Sequence, residues 1–171
     1  AAIAGAFAAM VALHERHRSG QGQVVDVSLL ETMFQLLGPL PAAAAHLGYE
    51  QPRLAGGIPY TVPRNTYRCA DGRWVAISTS ADTIARRVLD LLGVGSDARF
   101  TTFAGREAHR DELDEIVAAW VAQRSSDEVI AAFDAAQAAI APVLGMSELL
   151  VHPHVLARDA FVDVEGVRMA G

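Results

Sequence analysis

The chain has 171 residues, of which 51% are hydrophobic and 20% charged, and its net charge is −6. This composition excludes a disordered tail and a disulfide-stapled miniprotein, and the negative balance argues against general binding to nucleic acid or to anionic membranes. The single cysteine, Cys69, leaves no disulfide framework or thiolate cluster and points to a reducing, cytosolic setting.

Residues 1–13 are almost wholly apolar, and the chain then turns to His14, Glu15, Arg16, His17 and Arg18. The pattern predicts a buried helix, too short in its apolar run to span a membrane and without the basic lead of a secretory signal. No Ser, Thr, Asp or Asn caps its first turn, so residue 1 is expected to lie mid-protein. Gly20 and Gly22 end this helix, and Gln23–Val27 is a β-branched run suited to a buried strand. Ser28-x-x-Glu31 then reads as a capping box for a helix with Leu29, Leu30, Met33, Phe34, Leu36 and Leu37 on its apolar positions. Ala42–Ala45 continues as a helical piece toward Gly48. Helix, strand, helix is the rhythm of an α/β layer.

From Tyr49 to Arg64, Pro52, Gly56, Gly57, Pro59 and Pro63 mark a crossing loop. Asn65–Ala70 and Arg73–Ser78 flank Asp71-Gly72 and predict a hairpin with a two-residue type I′ turn. Four helical segments follow, roughly 82–92, 110–123, 127–136 and 146–151, the third opened by the capping box Ser125-x-x-Glu128. Residues 141–144 and 161–164 read as short extended pieces. The second half is thus a small α+β unit, distinct from the first.

All 14 basic residues are arginine, so any contact to a carboxylate or phosphate is planar and bidentate. His14 and His17 share a helix face but lack a third ligand, and read as a solvated helix end. His152 and His154 flank Pro153 and read as a polar loop. Cys69 reads as a small apolar filler of a strand. Ser78, Thr79 and Ser80 either face a ligand cleft or cap the helix beginning near Asp82, capping being the favoured reading. Arg86-Arg87 reads as a solvated face with anion binding as the alternative. Gly56-Gly57 permits close backbone approach to a ligand, a mobile lid or a plain turn.

The ordered run of Arg16-His-Arg-Ser-Gly-Gln-Gly-Gln-Val-Val-Asp26, the Gly56-Gly57-x-Pro59 loop, Tyr67-Arg-Cys-Ala-Asp-Gly-Arg-Trp-Val-Ala76, Ala98-Arg-Phe100, Arg110-Asp-Glu-Leu113, Ala141-Pro-Val143 and His152-Pro-His154 closely resembles the class III coenzyme A transferases. That superfamily also holds formyl-CoA transferase and α-methylacyl-CoA racemase. The resemblance implies part of a Rossmann-like large domain over residues 1–47, a linker at 48–63, a small α+β domain at 64–151 and the start of a return segment at 152–171. It also implies an interlocked cytoplasmic homodimer without a resident cofactor or metal, taking an acyl-CoA thioester and a carboxylic acid. An aspartate expected upstream of residue 1 would form a mixed anhydride, so no catalytic residue is assigned within the chain. Gly56, Gly57, Tyr60, Ser78 and Ser80 are the implied substrate-binding candidates. In the racemase a glutamate after the second hairpin strand supports the catalytic histidine; the matching position here is Ala81, which favours transfer over racemisation, with Asp82 able to substitute after a one-residue shift as the alternative. A non-catalytic paralogue or fragment is the remaining alternative.

Overall fold

A computed structural model describes residues 1–171 as two compact units, Ala1–Arg53 and Leu54–Gly171. No helix is long and apolar enough to cross a membrane.

The first unit holds α1 (Ala2–Ser19), α2 (Leu29–Leu36) and α3 (Leu40–Leu47). Gly20, at φ 75°, closes α1 because its N–H must turn back to the Arg16 carbonyl, a left-handed conformation that glycine adopts without strain. Ser28 caps α2 by accepting the Glu31 N–H. Two expectations fail here. Residues 23–27 form no strand, because no neighbouring strand of this chain pairs with their N–H and C=O groups. No residue of α1 is buried either, and Ile3 and Phe7 are 88% and 72% exposed.

The second unit is built around a three-stranded antiparallel sheet, β1 (Arg64–Arg68), β2 (Trp74–Ser78) and β3 (Ile140–Pro142), in that order. Alternation sends Tyr67, Val75 and Ile77 to one face. There they pack with Val88 of α4 (Asp82–Leu91), Val117 and Val121 of α6 (Arg110–Ala122), and Val129 and Phe133 of α7 (Ser126–Ala135). A second cluster joins Val62, Leu89, Phe100 and Leu113. Beneath it lies α5 (Phe103–Ala108), which the composition did not suggest; Thr102 caps it by accepting the Gly105 N–H. The capping box at Ser125 is complete, with Glu128 bonding back to the Ser125 N–H. The chain ends in α8 (Met146–Leu149), α9 (Pro153–Ala157) and the hairpin β4 (Phe161–Val164) to β5 (Val167–Ala170). The expected polar loop at 152–154 is instead the start of α9, because proline fits the first helical turn, where its missing N–H costs nothing.

The turn between β1 and β2 also departs from expectation. Gly72 has φ 82° but Asp71 does not have positive φ, so the connection is a three-residue loop rather than type I′. The Asp71 carboxylate accepts the Arg73 N–H and also the N–H and hydroxyl of Ser126, which fixes it against α7. Those bonds, led by the Ser126 N–H, hold its carboxyl below the usual range.

Candidate functional site

Leu54–Thr61 forms a loop beside edge strand β1. Its first turn closes with a Gly57 N–H to Leu54 carbonyl bond of 2.7 Å, and Ala55 is held there at φ 49°. Gly56 lies so near β1 that a Cβ would come 2.5 Å from the Asn65 amide oxygen. Asn65 cannot easily yield, because its Nδ2 donates to Asp114 at 2.8 Å while its Oδ1 accepts the Thr66 N–H. Tyr67 donates its hydroxyl to the same Asp114 carboxylate at 2.6 Å; burial, then that bond, raises its pKa, so the phenol stays a neutral donor. Arg110 donates to the carbonyls of Thr61 and Pro59 and holds the rest of the loop to α6. The glycine loop is therefore fixed by its neighbours on three sides.

On the sheet face turned away from the helices, the register pairs Arg64 with Ser78, Thr66 with Ala76, and Ala76 with Ala141. These side chains share one face, and directly opposed Cβ atoms lie about 5 Å apart. With Gly56 at the rim they line a cavity of about 360 Å³ that contains no carboxylate. Its floor is small and apolar (Ala76, Ala141), and its polar lining residues are Arg64, Thr66 and Ser78 together with Asn65, whose amide is already engaged by Asp114 and the Thr66 N–H. The Arg64, Thr66 and Ser78 side chains make no hydrogen bond or ion pair within the chain.

Of the candidate site residues, Gly56 and Ser78 thus meet at one cavity. Gly57 lies behind the rim toward Arg110, Tyr60 is 72% exposed at the loop tip, and Ser80 is exposed beyond the strand. The capping role expected for residues 78–80 is absent. Ala81 occupies the N-cap of α4, and the buried Thr79 hydroxyl donates to the Pro63 carbonyl instead. Arg64 was not singled out from the sequence. Its signal was the alternation Arg64, Thr66, Arg68 along β1, whose opposing residues depend on the turn geometry. Arg86 and Arg87 are exposed, and Arg87 donates to the Gln137 carbonyl. Asp82 is taken up by the buried Arg106 at 2.5 Å.

The family model described as CoA-transferase family III matches residues 1–170. The chain is 35% identical over 167 residues to the succinyl-CoA–D-citramalate CoA-transferase of Chloroflexus aurantiacus, covering 96% of this chain and 42% of that protein. It is 31% identical over 157 residues to the α-methylacyl-CoA racemase of Mus musculus, covering 90% of this chain and 40% of that protein. Among solved structures it is similar to a CAIB/BAIF family protein from Brucella suis, with a TM-score of 0.75, 26% identity, and coverage of 94% of this chain and 43% of that one. The chain spans about two fifths of the length of the curated relatives it matches.

Proposed function

The chain belongs to CoA-transferase family III, and on that premise we propose that it is part of an enzyme that moves coenzyme A from an acyl-CoA thioester to a carboxylic acid. The observation that carries this reading is the family match over residues 1–170, supported by the transferase relative at 35% identity.

In the proposed reaction, an aspartate outside these residues attacks the thioester carbon. The C–S bond breaks and CoA leaves as thiolate, giving a mixed anhydride. The thiolate then attacks the aspartyl carbonyl and releases the donor acid as carboxylate, leaving an aspartyl thioester. The acceptor carboxylate attacks that thioester and expels the thiolate. Attack of the thiolate on the acceptor acyl carbon completes transfer and restores the aspartate. A carboxylate nucleophile suits the task because each intermediate must be as reactive as the thioester it replaces. The chain's own share is the fixed glycine loop and the cavity beneath it, with Gly56 and Ser78 as the substrate-facing candidates retained.

We further read residues 1–47 as part of a Rossmann-like large domain, 48–63 as a linker, 64–151 as a small domain and 152–171 as a return segment, within an interlocked cytoplasmic homodimer. The exposed apolar side chains of α1 and α2 support this reading, since they need a cover that the first unit does not itself supply.

Racemisation is the second reading, favoured by the mouse relative. Asp82 weighs against it, because a carboxylate already engaged by a buried guanidinium is a poor support for a catalytic histidine. With the full-length protein, CoA transfer from succinyl-CoA to an acid is measured beside α-proton exchange in deuterated water. Transfer is expected; exchange without transfer overturns the proposal.

A further inference from the structure

The cavity beside the glycine loop is lined by an arginine that no group of the chain engages. Four of the chain's arginines are not exposed: Arg64, Arg106, Arg110 and Arg124. Arg106 bonds to two carbonyls and Asp82, Arg110 to two carbonyls, and Arg124 to the Trp120 carbonyl while stacking on its ring. Arg64 alone of these has no partner within the chain, so its solvent-accessible guanidinium is free to meet a ligand at the cavity.

The groups around it suit one class of ligand. Ser78 is the cross-strand partner of Arg64 and Thr66 lies two residues along the same face, so two unengaged hydroxyl side chains share the cavity lining with Arg64. No acidic side chain competes for it at the cavity, in a chain whose net charge is −6. The volume of about 360 Å³ lies at the low end of the roughly 300–1,000 Å³ typical of ligand sites, room for an acid of a few carbons and not for a whole acyl-CoA. A planar, bidentate donor with two hydroxyls beside it matches a carboxylate.

We infer that Arg64, Thr66 and Ser78 bind the second, non-reacting carboxylate of the acid substrate, so that the enzyme prefers dicarboxylic to monocarboxylic acids. This rests on the transferase reading, and its test separates the two. Succinate and butyrate, which differ at one end by a carboxylate, are titrated into the full-length protein by calorimetry without acyl-CoA, and both are then used as acceptors. The wild type is expected to bind succinate at least about tenfold more tightly than butyrate, and Arg64→Gln to abolish that ratio. Ser78→Val, which keeps the guanidinium and fills the cavity, is expected to lower the same ratio, and Arg64→Lys to restore part of it. In turnover, the KM for succinate is expected to rise relative to that for butyrate by the same factor.

Selective succinate binding that depends on Arg64 supports the subsite even if no CoA transfer occurs. Transfer with a succinate-to-butyrate ratio unchanged in the folded Arg64→Gln and Ser78→Val variants overturns the subsite and leaves the transferase reading standing. A rise confined to the KM of the CoA thioester also overturns it, because the guanidinium would then be serving a phosphate of CoA.

Discussion

Arg106 and Asp82 are joined by one ion pair but carry unequal weight. The arginine side chain is 3% exposed and the aspartate 75%, so the pair's Coulomb contribution is screened on one side while the guanidinium's two carbonyl bonds are not. Asp82→Asn is accordingly expected to cost less than about 1 kcal/mol. Arg106→Ala strands the Val62 and Phe100 carbonyls and opens the core beside them, for a loss of about 3 kcal/mol. Urea unfolding of the two variants checks the contrast, and equal losses would contradict it. Ala55, held at φ 49°, gives the opposite sign. Ala55→Gly relieves left-handed strain at some entropic cost, and a net gain of about 0.5–1 kcal/mol is expected in the same assay.

Titration behaviour also belongs to single residues. Hydrogen bonds from Arg99 lower the Asp97 pKa from 3.8 to about 2. Asp71, Glu128 and Glu148 are lowered too, chiefly by the backbone N–H groups of Ser126, Ser125 and Gly145. A carboxyl depressed in the folded state stabilises it fully above its unfolded pKa and loses that contribution as pH falls through the folded one. Stability should therefore decline between about pH 4 and pH 2, and Asp97→Asn should flatten part of that decline. Melting temperatures measured across this range, with and without added salt, test it; since Asp97 and Arg99 are partly solvated, salt should weaken the effect.

The β1–β2 hairpin shows why one turn matters to the site. A two-residue turn at Asp71-Gly72 would oppose Ser78 to Asn65, whereas the three-residue loop opposes it to Arg64. Because side chains alternate with period two, that single step decides which β1 residues share a face with Ser78. The hairpin was legible from Asp71-Gly72 between β-prone runs; its register was not, because it depends on the Asp71 bonds to Ser126, fifty-five residues away. Gly72→Ala places a Cβ on a left-handed residue and is expected to cost about 1 kcal/mol. The helices of the second unit were legible from capping boxes and apolar spacing. By contrast, α5 was hidden because its first turn, Phe103-Ala-Gly-Arg, carries no helical apolar period, and residues 23–27 were read as a strand on composition that says nothing of a partner.

At the scale of the whole molecule the two units differ in what holds them. Residues 54–171 contain both buried clusters, while residues 1–53 contain no buried side chain. Helices α2 and α3 of the first unit, of 8 residues each, are too short to be stable alone, and α1 buries no residue that would anchor them. Produced separately, 54–171 should melt cooperatively by circular dichroism and 1–53 should show little helix; a cooperative transition in the shorter piece would contradict this assignment of stability. The family was legible because its signature segments fall in order along the chain, whereas the cavity lined by Arg64, Thr66 and Ser78 needed the sheet register.

The proposed chemistry is tested most directly by mixing the full-length protein with succinyl-CoA in the absence of any added acid, quenching, and locating bound CoA by peptide mass spectrometry. The account predicts CoA held as a thioester on one aspartate outside residues 1–171, discharged when an acid is supplied. CoA attached to a residue of this chain, or α-proton exchange proceeding with no adduct at all, would contradict it.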